Sequence, residues 1–258
     1  MKKKLLAALS LVIGLSGILS GCGSSSGQGT LTVGVRDDIM NFGYLNETTG
    51  KYYGLEIDLA YKMAEDLGYK DVEFVTVNPD NRKDMLLEGK VDCMIAAYSI
   101  SESRLENFDF SPVYYSDESR VIVQKSTMFS NIEELLGKRI GVLDGANTAP
   151  VFADKLVELG FIPEVDRETF DAVTFVRFDS YKDVDVALEE GVVDAACMDG
   201  CIAKAYMNDE RELFEETLRQ EDYGVATQKD SKLSKPVAES IQKMLDDGTI
   251  DELIDKWD

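Results

Sequence analysis

The sequence contains no histidine in its 258 residues. That absence removes Ser-His-Asp and Cys-His nucleophile pairs, imidazole acid–base chemistry and the commonest zinc and iron sites. Basic residues are scarce too: 27 Lys and Arg stand against 49 Asp and Glu, a net charge of −22. Nucleic-acid binders need clustered cations to displace counterions, so nucleic acid is excluded as a partner. Cysteine is sparse, with Cys22, Cys93, Cys197 and Cys201 in all. Cys197 and Cys201 could pair if the turn between them brings their Cα atoms within about 7 Å. The alternative is a set of partly buried free thiols. A metal site built from them is disfavoured, because Cys93 lies in the other half of the chain. No metal or cofactor is expected.

What remains is an ordinary globular mix, 44% hydrophobic and 29% charged. The length allows one large domain or two lobes of about 100–150 residues each. Lys2, Lys3 and Lys4 precede an apolar run from Leu5 to about Leu19, which reads as a secretory signal and is short for a membrane span. The run ends in Leu19-Ser20-Gly21-Cys22, which resembles the lipobox of bacterial lipoproteins. The resemblance implies cleavage before Cys22, a diacylated Cys22 and attachment to the outer face of the cell membrane. An ordinary signal with an incidental cysteine is the alternative. Residues 1–21 are therefore expected to be the signal peptide and 22–29 a flexible Gly/Ser tether.

From Thr30 onward, short β-branched runs alternate with amphipathic helices, the pattern of an α/β fold. Strands are expected at Leu31–Val35, Val72–Val77, Val91–Ala97, Ser119–Gln124, Arg139–Val142, Val173–Phe178, Val192–Met198 and Asp222–Thr227. Leu55, Ile57, Ala60, Met63, Ala64 and Leu67 fall on helical spacing before Gly68, and a similar helix precedes Gly160. The second half repeats the first. Thr32-Val33-Gly34-Val35 is echoed by Arg139-Ile140-Gly141-Val142. Leu86-Leu87-Glu88-Gly89-Lys90-Val91-Asp92 matches Leu188-Glu189-Glu190-Gly191-Val192-Val193-Asp194 as L-x-E-G-x-V-D. Two α/β lobes are expected: residues 30–121 with 226–258, and residues 122–225 including two hinge strands. Ile250, Leu253, Ile254 and Trp257 have the spacing to dock the tail back on the first lobe. Such an arrangement leaves a ligand cleft between the lobes.

Three stretches resemble the family of extracytoplasmic solute-binding proteins that serve polar amino-acid ABC importers. They are Gly54-Leu55-Glu56-Ile57-Asp58-Leu59, Ser99-Ile100-Ser101-Glu102-Ser103-Arg104 with Phe108-Asp109-Phe110-Ser111-Pro112, and Val193-Asp194-Ala195-Ala196-Cys197-Met198-Asp199. The resemblance implies the periplasmic-binding-protein fold and assigns roles by position. Arg104 sits where the family binds the α-carboxylate, and its guanidinium fork suits one. Ser99 and Ser101 stand where threonines are usual, and Asp199 matches the acceptor for the α-ammonium. Tyr98 belongs to the same stretch. Asn147 and Thr148 open a helix whose free N–H groups suit a carboxylate. Arg82, in a V-N-x-x-x-R segment, and Tyr181 are similar to ligand-facing residues of the glutamate/aspartate-binding branch. Arg36 is expected either at the ligand or paired with Asp37, Asp38 or another nearby carboxylate.

The expectation is a monomeric, non-enzymatic receptor that binds glutamate or aspartate and hands it to permease subunits in the membrane. Glutamine, asparagine or cystine is the alternative ligand. Two other classes stand beside it: a sensor for a signalling partner, and an enzyme of the cyclohexadienyl dehydratase kind.

Overall fold

The structure is a computed structural model that describes residues 28–163 and 172–258. The expected signal peptide and Cys22 lie outside the described residues. Strand β1 (Gln28–Val35) leads into a small hairpin sheet of β2 (Asp38–Ile39), β3 (Gly43–Asn46) and β4 (Lys51–Tyr53). Then follow α1 (Leu55–Asp66), β5 (Tyr69–Thr76), α2 (Arg82–Leu87), β6 (Cys93–Met94), α3 (Glu102–Leu105) and β7 (Phe108–Phe110). The long strand β8 (Tyr115–Gln124) precedes β9 (Arg139–Leu143), α4 (Thr148–Glu158), β10 (Thr174–Phe178), α5 (Tyr181–Glu189) and β11 (Ala195–Asp199). Next come α6 (Gly200–Ala203), β12 (Arg211–Leu213), β13 (Arg219–Tyr223), β14 (Ala226–Gln228), α7 (Ser234–Asp246) and α8 (Thr249–Trp257).

Two mixed sheets form the two lobes. The first runs β5-β1-β6-β14-β7, and the second runs β10-β9-β11-β8-β12 with β13 also paired to β8. In each, the opening strand is flanked by parallel neighbours: β1 by β5 and β6, β9 by β10 and β11. An antiparallel strand then follows, β14 beside β6 and β8 beside β11. The repeated motifs sit at equivalent places and have a physical reason. Asp92 accepts the Thr32 N–H at 2.8 Å, and Asp194 accepts the Arg139 N–H at 2.9 Å. Each aspartate thus ties the turn before the third strand to the backbone of the first. Gly34 and Gly141 occupy matching positions where a Cβ would press on Met94 at 2.8 Å and on Val193 at 3.1 Å.

The apolar face of α1, with Leu59, Ala60 and Met63, is buried in the first lobe. The tail docks there as its spacing requires: Trp257 Nε1 donates to Asp58 at 2.7 Å, and Ile250 and Leu253 are buried. The chain crosses between the lobes twice. Tyr114 N–H donates to the Tyr223 carbonyl at 3.0 Å, and the rings of Tyr115 and Tyr223 stack at 6.0 Å.

Two expected strands differ from those observed. Val91–Ala97 contracts to Cys93–Met94, because Ala97 takes a left-handed conformation (φ 43°) and gives its N–H to the Glu56 carboxylate. Asp222–Thr227 is divided at Gly224–Val225, where the chain leaves one sheet for the other. The lobe boundary expected at residue 121 falls inside β8, which pairs with β13 from Tyr115 onward. Cys93, Cys197 and Cys201 are buried free thiols.

Candidate ligand-binding cleft

In open α/β sheets, ligands gather beyond the carboxyl ends of the parallel strands. Here those ends from both lobes converge. Arg36 follows β1, Pro79 follows β5, and Ala97 and Ser99 follow β6. From the second lobe, Ala146, Asn147 and Thr148 follow β9, Tyr181 opens α5 after β10, and Asp199 ends β11. Together with Arg82, Arg104 and Ile202 these residues line one narrow cavity. The lobes meet beside it: a Cβ on Gly145 (φ 67°) would fall 2.2 Å from the Asp80 carboxylate.

The three arginines are not equivalent. Arg36 is buried and holds Asp38 with both arms, Nε to Oδ1 at 2.9 Å and Nη2 to Oδ2 at 2.7 Å. Burial acts to lower its pKa, but Asp38 together with Tyr181 and Glu56 outweighs that and the value ends above the ordinary one. Arg82 is also buried, yet its recorded hydrogen bond is from Nη1 to the Ala96 carbonyl at 3.2 Å. Desolvation, then the charges of Arg104 and Arg36, push it down to about 9. Arg104 donates to the Ser99 carbonyl at 2.7 Å, and burial lowers its pKa as well. Neither Arg82 nor Arg104 has an ion pair with any described residue. Both guanidinium groups lie over the Tyr98 ring, at 4.5 and 4.3 Å from its centroid. Arginine does not shed its proton in proteins, so the lowered values express the cost of holding these cations out of water and, for Arg82, beside other guanidinium groups.

Across the cavity stands a carboxylate. Asp199 accepts from Ser119 Oγ at 3.2 Å and from the Tyr223 hydroxyl at 2.8 Å. Burial, then the charges of Glu221 and Asp117, raise its pKa to about 6. Beside it, Asn147 Nδ2 and Thr148 Oγ1 are buried without a hydrogen-bond partner. Buried polar atoms are nearly always satisfied, so two orphans in one wall mark a place for a polar ligand. The cavity therefore offers two unpaired cations, one anion and two unused polar groups.

Arg36, Arg82, Arg104, Ser99, Asn147, Thr148, Tyr181 and Asp199 are thus brought together. Tyr98 lies behind the wall, 2% exposed under its two arginines. Ser101 is not among the lining residues; its hydroxyl lies 3.3 Å from that of Ser103 at the start of α3. Of the alternatives expected for Arg36, the pairing with Asp38 is the one observed, although the side chain also lines the cavity.

Glu56, to which the sequence assigned no role, supports the site from behind through Ala97. Its Oε1 accepts from Ala97 N–H at 2.6 Å and from the Tyr114 hydroxyl at 2.5 Å, while Oε2 is buried without a partner. Burial raises its pKa, which favours the neutral acid. A carboxyl on the buried side of a helix's first turn was the available signal.

The chain is 29% identical over 234 residues to the ABC transporter glutamine-binding protein GlnH of Bacillus subtilis (strain 168), spanning 88% of this chain and 80% of the relative. It is 26% identical over 267 residues to the arginine-binding extracellular protein ArtP of the same organism, spanning 100% and 98%. An ancestral arginine-binding protein, solved with bound arginine, superposes with a TM-score of 0.75 at 31% identity, over 89% of this chain and 98% of that one. The likeness extends to the whole two-lobed body, since residues 31–258 match a single family description. On that match the chain belongs to the bacterial extracellular solute-binding proteins, family 3.

Proposed function

We propose that the protein is the amino-acid-binding component of an ABC importer and that its ligand is glutamate or aspartate. It is a binding protein and not an enzyme. The observation that carries the ligand is the pair of buried arginines without counter-ions, Arg82 and Arg104, in the same cavity as one carboxylate, Asp199. Arg36 is held in its ion pair with Asp38, and among the remaining charged lining residues Arg82 and Arg104 outnumber Asp199 by one positive charge. An amino acid with one net negative charge cancels it. Arg104 takes the α-carboxylate, Asp199 the α-ammonium, and Arg82 the side-chain carboxylate. Glutamine is bound by one relative named above and arginine by others, but a neutral amide leaves Arg82 unpaired and a second guanidinium would be repelled by it. A desolvated unpaired charge costs several kcal/mol.

The test is a calorimetric titration of glutamate, aspartate, glutamine and asparagine between pH 7 and 5. The acids are expected to bind about ten- to a hundredfold more tightly than their amides. An amide that binds as tightly as its acid overturns the ligand assignment. The pH axis tests Asp199. Its ligand-free pKa of about 6 lies above the ordinary value, and an ammonium partner would drive it down. Protons therefore compete with ligand, and affinity should fall about tenfold from pH 7 to pH 5, most of it below pH 6. The same raised pKa works in the opposite sense on the ligand-free fold, which gains from Asp199 as the pH falls. A flat affinity profile would remove Asp199 from the ammonium site.

The permease subunits of such an importer are the proposed partners, and diacylated Cys22 the proposed tether. A body this acidic is repelled by anionic headgroups, so the lipid has to supply the attachment. Cys22→Ser should lose membrane recovery in cell fractionation, and equal recovery would defeat the anchor.

A further inference from the structure

Beyond the ligand cavity lies a second chamber between the lobes, partly open to solvent. It is lined by the β2–β4 hairpin region, including Asp37, Asp38 and Glu47, and by Lys182 and Tyr206 opposite. Tyr181 and Ile202 line both spaces. Arg36 lines only the ligand cavity, and its partner Asp38 lines only the chamber. The ion pair between them therefore lies in the partition. Its guanidinium is fixed from three directions: two hydrogen bonds to Asp38, a Tyr181 ring centroid at 5.8 Å, and burial to 3% exposure.

We propose that Arg36 is a specificity-determining plug that shuts the ligand cavity off from the second chamber and so sets the length of side chain the protein accepts. The inference rests on the amino-acid-binding reading but not on the acidic ligand. Because Asp38 takes up its hydrogen-bonding arms and offsets most of its charge, what Arg36 chiefly contributes toward the ligand is volume in the right place. A wall of this kind rejects longer ligands by obstruction, which is discrimination by exclusion of the wrong ligand. Without the side chain, a longer ligand tail would pass into a space where Asp38 has lost its partner and Asp37 and Glu47 stand nearby. Lysine, whose tail ends in a cation, is the probe that reads this opening.

Lysine binding is measured by calorimetry on the wild type, Arg36→Ala and Arg36→Met, with folding checked by thermal melting. Arg36→Ala is expected to bind lysine at least about tenfold more tightly than wild type, and Arg36→Met, which refills the space without charge, is not. A smaller gain in Arg36→Ala overturns the plug. An equal gain in Arg36→Met overturns it as well, since charge removal and not opening would then be the cause. Should Arg36→Ala fail to fold, the wild type decides. 2-Aminoadipate, one methylene longer than glutamate, should bind at least about tenfold more weakly than glutamate, within the usual worth of a methylene in a closed pocket. Equal binding of the two overturns the wall. If the wild type binds no acidic amino acid and Arg36→Ala still gains lysine, the plug stands and the acidic ligand falls.

Discussion

Arg104→Ala is expected to weaken glutamate or aspartate binding by about two to three and a half orders of magnitude, a loss of about 3–5 kcal/mol. The size follows from what is left behind. A ligand α-carboxylate would still be taken out of water, and no other unpaired guanidinium would be free for it once Arg82 is engaged with the side chain. The geometry of Arg104 is set in advance by the Ser99 carbonyl at 2.7 Å and the Tyr98 ring at 4.3 Å. One arm is thus anchored, and the remaining N–H groups are left for a two-pronged contact. Arg104→Lys should not rescue, because an ammonium is a single point charge without the planar fork. Calorimetry with less than about a fivefold weakening in the alanine variant, on a protein of unchanged circular dichroism, would remove Arg104 from the site.

Arg82→Met should move binding and stability in opposite directions. The preference for acid over amide is expected to collapse by about ten- to a hundredfold, since the unpaired cation that favours a side-chain carboxylate is gone. The ligand-free protein is expected to melt a few degrees higher, because replacing a buried charged group by a well-packed apolar one is often stabilising by about 1–4 kcal/mol. The wild-type side chain keeps one hydrogen bond, to the Ala96 carbonyl, and is repelled by Arg104 and Arg36. Its cost is carried in the empty state and relieved by ligand. An unchanged acid-to-amide ratio would deny Arg82 the side-chain contact. A lower melting temperature would show that its packing on Tyr98 outweighs its desolvation.

The elements that could be read from sequence were those with a long period. The α1 helix showed its 3.6-residue stripe and its Gly68 stop, and the opening strands showed their β-branched runs. The resemblance supplied positions, and the fold brings nearly all of them to one cavity because each follows the carboxyl end of a strand. Tyr98, behind the wall, and Ser101 are the exceptions. The resemblance placed Ser101 at the ligand with Ser99, but α3 begins at Glu102 and the Ser101 hydroxyl lies toward Ser103. What escaped the sequence were pairings between distant segments. Nothing local announces that Glu56 will meet Ala97 and Tyr114, or that Tyr223 will lie against both Asp199 and Asp117. The partner of Arg36 was foreseen only as one of several nearby carboxylates, because strand direction after Val35 decides which of them faces it.

The position of β14 between β6 and β7 has a consequence for how the chain closes on itself. Every strand of the second sheet comes from one continuous stretch, Tyr115 to Tyr223, whereas the first sheet needs Ala226–Gln228 to join strands that end at Phe110. Taken alone, that junction would close a very long loop, and the entropic cost of closure grows with loop length. Pairing of β8 with β13 removes most of it, because Tyr115 and Tyr223 are register partners and the two ends of the second lobe are held side by side. Once that lobe has formed, the missing strand is delivered three residues from where it is needed. The second lobe thereby serves as a short covalent bridge within the first, and the discontinuous lobe meets the closure problem of an ordinary hairpin.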